Sequence, residues 1–327
     1  MKPLSKLPRR LLLQAAAGAA ALAVLKLQAA ESRVTRAVQV LDLDWVDGAR
    51  QRPVPVRLHL PGATEGSARG LPLVVFSHGI GGSRRGYSYL GQHFARHGVA
   101  SLHLQHVGSD RALRSGSVLG LLGRLQDAAQ DAEAINRAKD LRFALDTLLT
   151  GELAPRFDDS RIVAAGHSYG ANTTLLAAGA RVPREGREIV LKDDRVRAAI
   201  VISAPPFYGE SEPGRVLSGI TVPSLHVTAT DDVIRIPGYF SGSEDRVALF
   251  EAMGGERKWL AVFEGGSHSM FTDRSGTGGV TLNPQVKAAT QALTLAFVRT
   301  VFDGEAAALA AWPQQHAGIL ARFSAPA

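Results

Sequence analysis

The chain has 327 residues, 45% of them hydrophobic, which is enough to bury a large core and too apolar for a disordered polymer. Its formal charge is +7, but Lys2, Lys6, Arg9, Arg10 and Lys26 all lie within a first thirty residues that contain no acid. The remainder carries only +2, so the basic balance is no argument for a nucleic-acid partner.

The absence of cysteine excludes disulfides, thiolate metal sites and a cysteine nucleophile together. The N-terminal stretch is laid out as an export signal. A basic segment ending in Arg9-Arg10 precedes an apolar run over residues 11–25, followed by the small residues Ala29 and Ala30. That run is roughly 15 residues, short of the about 20 that a comfortable bilayer span needs. The paired arginines ahead of Leu11-Leu12-Leu13 resemble a twin-arginine signal, which exports proteins already folded. The expectation is a signal over residues 1–30, transient contact with the twin-arginine export machinery, and a periplasmic or secreted domain over residues 31–327. Lys26 and Gln28 suit a cleavage site poorly, which keeps an uncleaved membrane anchor as the alternative.

Downstream, short β-rich runs alternate with longer helical patterns, the order of a mostly parallel sheet covered on both faces. Eight strands are predicted, near residues 38–43, 54–60, 73–77, 100–104, 162–166, 198–203, 224–230 and 258–263. Inner runs such as Val74-Val75-Phe76 and Ile200-Val201-Ile202 are continuously apolar, as strands buried on both faces are. Ile135, Ala138, Leu141, Leu145 and Leu148 recur at helical spacing, with Asp140, Arg142 and Asp146 assigned to the opposite side. Val247, Phe250 and Met253 mark another amphipathic helix, and residues 286–302 a long one. Segments 108–125 (Gly, Ser, Arg) and 205–219 (Pro, Gly, Glu) each follow a strand ending at the same sheet edge. They either wall a substrate cleft or are mobile surface loops. With no repeat and no long linker, residues 31–327 read as one catalytic domain.

The strongest local signal is Gly166-His167-Ser168-Tyr169-Gly170, between the apolar strand Ile162-Val163-Ala164-Ala165 and a small-residue helix over 171–180. Strand–turn–helix is the context of a nucleophile elbow. The turn requires small residues two before and two after the serine, and the following helix aims free N–H groups at a developing oxyanion. A serine hydroxyl needs a base. Of ten histidines, His268 is best placed, in Gly265-Gly266-Ser267-His268-Ser269 directly after an apolar strand. His103 and His106 are rivals read as wall or supporting residues; His167 should point away from its exposed neighbour, and His59, His93 and His97 read as structural. The base needs an acid to hold its tautomer. Asp231 and Asp232 both end a strand upstream of His268, in the order Ser, Asp, His. Asp232 is favoured, since Val233-Ile234 can anchor the turn behind it, leaving Asp231 to hold loop backbone. Ser77-His78-Gly79-Ile80-Gly81-Gly82-Ser83 offers the oxyanion hole, with the Ile80 and Tyr169 N–H groups as donors. It lacks the spacing of a phosphate-binding glycine loop.

Together, Phe76-Ser77-His78-Gly79-Ile80-Gly81, the elbow, the Asp231-Asp232 strand end and Gly266-Ser267-His268 resemble the dienelactone-hydrolase and platelet-activating-factor acetylhydrolase-like branch of the α/β-hydrolases, over about residues 73–271. The resemblance implies an α/β-hydrolase fold with a mostly parallel eight-stranded sheet flanked by helices. It implies a serine esterase with no cofactor or metal, acting on small-molecule or lipid-like esters, often of short acyl chains. Its Gly-Thr-x-Asp turn, matched by Ala229-Thr230-Asp231-Asp232 with Ala for Gly, points to Asp232 as the acid. Dienelactone hydrolases carry cysteine at the nucleophile, so Ser168 sits nearer the esterase and acetylhydrolase members. The expected reaction is carboxylic-ester hydrolysis through an acyl-enzyme on Ser168. Thioesterase and perhydrolase action share the triad, and a non-catalytic binding scaffold is the rival from another class.

Overall fold

Valine, isoleucine and leucine runs form the strands, and their order in space sets where the site lies. The computed structural model describes residues 37–62, 69–117, 120–236, 238–275, 277 and 279–326, so the signal expected over residues 1–30 lies outside the described residues. The strands are β1 (Val38–Asp47), β2 (Arg52–Pro61), β3 (Leu71–Ser77), β4 (Ala100–Leu104), β5 (Phe157–His167), β6 (Arg181–Arg184), β7 (Arg187–Val190), β8 (Val196–Ile202), β9 (Ser224–Ala229), β10 (Ile234–Ile236), β11 (Tyr239–Ser241), β12 (Lys258–Phe263) and β13 (Leu320–Ser324). The helices are α1 (Ser88–Arg96), α2 (Leu121–Ala128), α3 (Asp131–Thr150), α4 (Tyr169–Ala178), α5 (Pro213–Leu217), α6 (Ser243–Ala252), α7 (Leu282–Asp303) and α8 (Ala306–Gln315).

The main sheet runs β1-β2-β4-β3-β5-β8-β9-β12-β13, and β6–β7 and β10–β11 are separate hairpins. From β4 through β12 every pairing is parallel; β1, β2 and β13 join antiparallel. This is the α/β-hydrolase fold. All eight predicted strands belong to the sheet, which has nine strands among the described residues rather than eight. The unpredicted one is β13. It is short and only half-buried, with two adjacent exposed residues instead of alternation, so its pattern is weak. Tertiary packing makes it a strand: buried Trp312 donates Nε1–H to the Ala289 carbonyl at 2.9 Å and packs against Phe263 and Phe323.

Alternation divides the core in two. Leu73, Val75, Ile162 and Ala164 face α3 and α4, with Leu141, Leu145 and Leu175. Val74, Phe76, Val163 and Ala165 face α1, α7 and α8, with Phe94, Leu293 and Phe297. The chain goes from β3 outward to β4 and then crosses back to β5 on the other side, so the strand order switches between β3 and β5. Ligands of open α/β sheets bind at the carboxyl ends of strands beside such a switch. Register aligns those ends, with Ser77 opposite Gly166 and His167 opposite Ile202.

Histidines lie in the core and, with half-buried His93, at its margin. Burial pushes the pKa of His59 and His93 down to about 4, and those of His106, His167 and His226 to about 3. Such groups take up protons in the unfolded chain from about pH 6.5 downward while the folded chain resists them. Stability should therefore be lost as pH falls from about 6.5 toward 3, read as a declining thermal midpoint by circular dichroism. His226→Leu should lessen that decline, since the buried Nε2 of His226 has no hydrogen-bond partner among the described residues. A pH-independent midpoint, or a decline untouched by the substitution, would contradict this account.

Candidate active site

Strand β5 runs into α4 with Ser168 alone between them, at φ 56°, ψ −125°, a conformation that serine tolerates only when its surroundings impose it. Space imposes it here. A Cβ on Gly166 would lie 2.2 Å from the Gly170 carbonyl oxygen, and one on Gly170 would lie 1.9 Å from that of Ser77. Both glycines are needed because backbone meets backbone.

The strained turn presents Ser168 to a chain of side chains from two other strand ends. His268 opens the 3₁₀ turn His268–Phe271 that follows β12, and its Nε2 lies 2.8 Å from Ser168 Oγ. Its Nδ1 lies 2.7 Å from Asp232 Oδ1. A carboxylate can only accept, so Nδ1 carries the proton and the Nε2 lone pair faces the serine hydroxyl. Asp232, fully buried after β9, also accepts from Thr228 Oγ1 at 2.8 Å. The buried Arg246 guanidinium lies 3.6 Å from Asp232 Oδ1. Burial by itself would raise the Asp232 pKa; the hydrogen bond and charge of His268, with the charge of Arg246, outweigh it and hold the carboxyl well below its usual range. Asp231 is exposed and makes no hydrogen bond with the described residues, so it does not hold the loop as expected. That task falls to Thr230, whose Oγ1 accepts the Gly265 N–H at 2.8 Å. The change is one of position: Thr230 lies on the side of the strand end that meets β12.

Ile80 and Tyr169 flank Ser168 in one cleft. The Tyr169 N–H is among the first-turn donors of α4 that no helical carbonyl reaches. In the loop after β3, the neighbouring amides are committed: Gly79 to Tyr87 Oη, Gly81 to the Ser109 carbonyl and Gly82 to the Gly79 carbonyl. The Ile80 N–H has no acceptor among the described residues. The site can thus turn a hydroxyl into a nucleophile beside two donors for a negative oxygen.

His167 points into the interior, as expected. Its Nε2–H donates to the His268 carbonyl at 2.9 Å, and its Nδ1 accepts from Tyr87 Oη at 2.8 Å. One neutral imidazole therefore links the loop of His268, through Tyr87, to the loop after β3. His103 and His106 lie outside the cleft. His103 bonds Gly86 and Ser101, and His106 lies between Asp140 and Ser77.

Two buried charges were missed. Asp140 is fully buried rather than solvated, because Arg50, Arg52 and His106 supply it with donors. Arg137 is also fully buried, with no carboxylate in ion-pair distance among the described residues. It donates to Thr173 Oγ1, Ser109 Oγ and the His78 carbonyl, and its guanidinium lies 4.5 Å from the centre of the Tyr169 ring. One side chain thus braces both segments that carry the Ile80 and Tyr169 N–H groups. Its sequence signal was an arginine in phase with Leu141, Leu145 and Leu148 on the apolar stripe of α3. Among the described residues, no group of three His, Asp or Glu side chains could hold a metal ion.

Both candidate wall segments do line the clefts. A pocket of about 310 Å³ on the Tyr169 side is lined by Leu125, Leu176, Phe207, Tyr208, Ile234 and Tyr239. The segment after β8 is tied down there by Asn172 Nδ2 on the Pro205 carbonyl and by Arg184 on the Tyr208 carbonyl. A second cleft of about 450 Å³ opens on the His268 side, past Tyr87, Arg111 and Arg114. Ser168 is at the junction.

Over residues 74–325 the sequence matches the family described as "Alpha/beta hydrolase family". Among solved structures it is similar to a ferulic acid esterase from Streptomyces cinnamoneus, with a TM-score of 0.57 and 24% identity over 84% of this chain and 92% of that chain. At that identity the likeness speaks for the fold. No curated protein matches the sequence significantly.

Arg137→Leu should destabilise the protein by about 3–5 kcal/mol in urea unfolding, because it strips three buried acceptors of their donor. Arg137→Lys should recover only part of this, since a single ammonium cannot span the same three groups. Equal stability of Arg137→Leu and the unaltered protein would remove the bracing role.

Proposed function

The chain belongs to the α/β-hydrolase family, and on that footing we propose that it is a serine hydrolase of carboxylic esters working through an acyl-enzyme on Ser168. The observation that carries this reading is the directional chain from Asp232 Oδ1 to the His268 Nδ1–H and from His268 Nε2 to Ser168 Oγ, opening on a partly apolar cleft. Ser168 Oγ attacks the ester carbonyl as His268 Nε2 takes its proton, and Asp232 stabilises the imidazolium. The Ile80 and Tyr169 N–H groups hold the tetrahedral oxyanion; losing one such donor costs about 3 kcal/mol of transition-state stabilisation. His268 then protonates the departing alkoxide. Water, deprotonated by the same imidazole, attacks the acyl-enzyme and releases the acid and Ser168.

Within the family we assign the chain to the dienelactone-hydrolase and platelet-activating-factor acetylhydrolase-like serine esterases, on the motifs around Ile80, Ser168, Asp232 and His268. Short acyl groups fit the pocket beside Tyr169, whose about 310 Å³ leaves room for longer ones. The structural neighbour is itself described as a ferulic acid esterase, which directs the first assays to oxygen esters.

Ser168→Ala should lower p-nitrophenyl acetate hydrolysis by about 10⁴-fold or more, and should abolish labelling by an organophosphonate probe. A binding scaffold would leave even the unaltered protein unlabelled. Asp232→Asn should cost about 10³–10⁴-fold in kcat, whereas Asp231→Asn should leave the rate within about twofold. A larger loss at Asp231 would reverse the assignment. Adding a matched thioester, or peroxide as co-substrate, separates the two other reactions this triad can run.

We further propose that residues 1–30 direct twin-arginine export to the periplasm or beyond. A reporter fused to them should leave the cytoplasm, and Arg9→Lys/Arg10→Lys should retain it there. Export unchanged by that pair would refute the assignment.

A further inference from the structure

The two clefts that meet at Ser168 differ in chemistry and in what they reach. His268 lines the second cleft and not the first. In acyl transfer, the group that departs must lie within hydrogen-bond reach of the base that protonates it. The second cleft is therefore the alcohol side. The first, lined by Leu125, Leu176, Phe207 and Tyr239, is the acyl side.

Arg111, Arg114, Arg235 and Arg274 converge on the alcohol side from three separate parts of the chain: the 3₁₀ turn Arg111–Arg114, strand β10 and the segment after His268. None of the four guanidinium groups makes a hydrogen bond or ion pair with the described residues. Elsewhere on this molecule some exposed and half-buried arginines are paired, as Arg57 with Asp42, Arg84 with Asp44 and Arg195 with Asp193, while others such as Arg187, Arg215 and Arg257 stand singly on the surface; what sets these four apart is that they share one cleft. The carboxylate in the cleft, Asp273, is engaged by the Ser88 N–H at the start of α1. Arg114 also packs over Gly81, in the oxyanion loop, and lies near enough to Arg274 to be repelled by it. Four like charges gathered around one cleft against the single carboxylate of Asp273 leave an excess of positive charge that an entering anion relieves. Planar guanidinium groups suit carboxylate and phosphate oxygens.

We propose that the substrate is an ester of an apolar acid with an alcohol that carries an oxyanion, a carboxylate or a phosphate, and that Arg111, Arg114, Arg235 and Arg274 receive that anion. The proposal rests on the ester-hydrolase reading and adds the substrate class. It also predicts a polarity: the charge belongs on the leaving alcohol and not on the acyl group.

The test compares para-butyryloxybenzoate and para-butyryloxyphenyl phosphate with the neutral para-butyryloxybenzamide, and adds monophenyl succinate, which carries its charge on the acyl side. At low salt, kcat/KM for at least one anionic-alcohol ester should exceed that of the benzamide by about tenfold or more. Which of the two leads identifies the oxyanion. Screening by added salt should shrink the preference, and Arg114→Gln/Arg274→Gln should bring it toward parity. Equal rates for charged and neutral alcohols would overturn the proposal, as would a preference indifferent to the double substitution or a lead for monophenyl succinate. Binding to Ser168→Ala, followed by calorimetry, separates the two layers of the argument. Tighter binding of para-hydroxybenzoate or para-hydroxyphenyl phosphate than of para-hydroxybenzamide supports the anion site even if no ester is cleaved, and equal binding of all three rejects it.

Discussion

The approach of the Gly170 backbone to the carbonyls ending β3 sets the geometry from which the rest of the site follows. At a hypothetical Cβ distance of 1.9 Å from the Ser77 oxygen, no other residue fits without parting β3 from the start of α4. That contact puts the loop carrying Ile80 beside the helix start carrying Tyr169, and forces Ser168 into a conformation that exposes its Oγ. Ser168 and the Ile80 and Tyr169 N–H groups are thus parts of one rigid junction. The strain at Ser168 is held by the hydrogen bond of its N–H to the Ile202 carbonyl and by the packing of α4.

Around that junction the interior is unusually polar, and its organisation is legible as hydrogen-bond chains. His167 spans from Tyr87 to the His268 carbonyl, and Arg137 spans from the His78 carbonyl to α4. Below them, His106 and Asp140 connect β3 to the arginines of the β1–β2 hairpin. Burial keeps His106 and His167 neutral, so each can donate on one nitrogen and accept on the other. His268 stands apart from them: its ring is partly exposed, bonded to a carboxylate on one side and to the serine hydroxyl on the other. The same residue type thus serves as scaffold where it is enclosed and stands between a carboxylate and a hydroxyl where the cleft opens.

The cleft extends this division outward. On one side, aromatic and aliphatic side chains of the segment after β8 and the β10–β11 hairpin make an apolar pocket; on the other, exposed arginines share a cleft with His268. Both walls are loops inserted at the carboxyl edge of the sheet, where sequence can vary without disturbing the core. The fold positions Ser168, Asp232 and His268, and the insertions shape the clefts around them.

Local pattern was enough for the parallel sheet and for the strand–turn–helix at Ser168, because each depends on residues adjacent in the chain. Continuous apolar runs mark strands buried on both faces, and Gly-x-Ser-x-Gly between strand and helix marks a turn that only small residues can make. The favoured choice of Asp232 over Asp231 rested on Val233-Ile234, and Ile234 does begin the hairpin behind it. What the sequence left open were features set by contacts between distant segments. β13 is a strand because Trp312 and Phe323 pack it against β12, despite its own weak pattern. Asp140 and Arg137 are buried because partners from about thirty to ninety residues away satisfy them, so a rule placing charged residues at the surface misplaced the one and passed over the other. The sequence by itself determined that Ser168 sits in a tight turn between strand and helix, with Asp232 and His268 at later strand ends. Only the tertiary structure decided which histidine faces it, which carbonyls brace its oxyanion loop, and that two unlike clefts meet there, because burial and distance are properties of the folded chain.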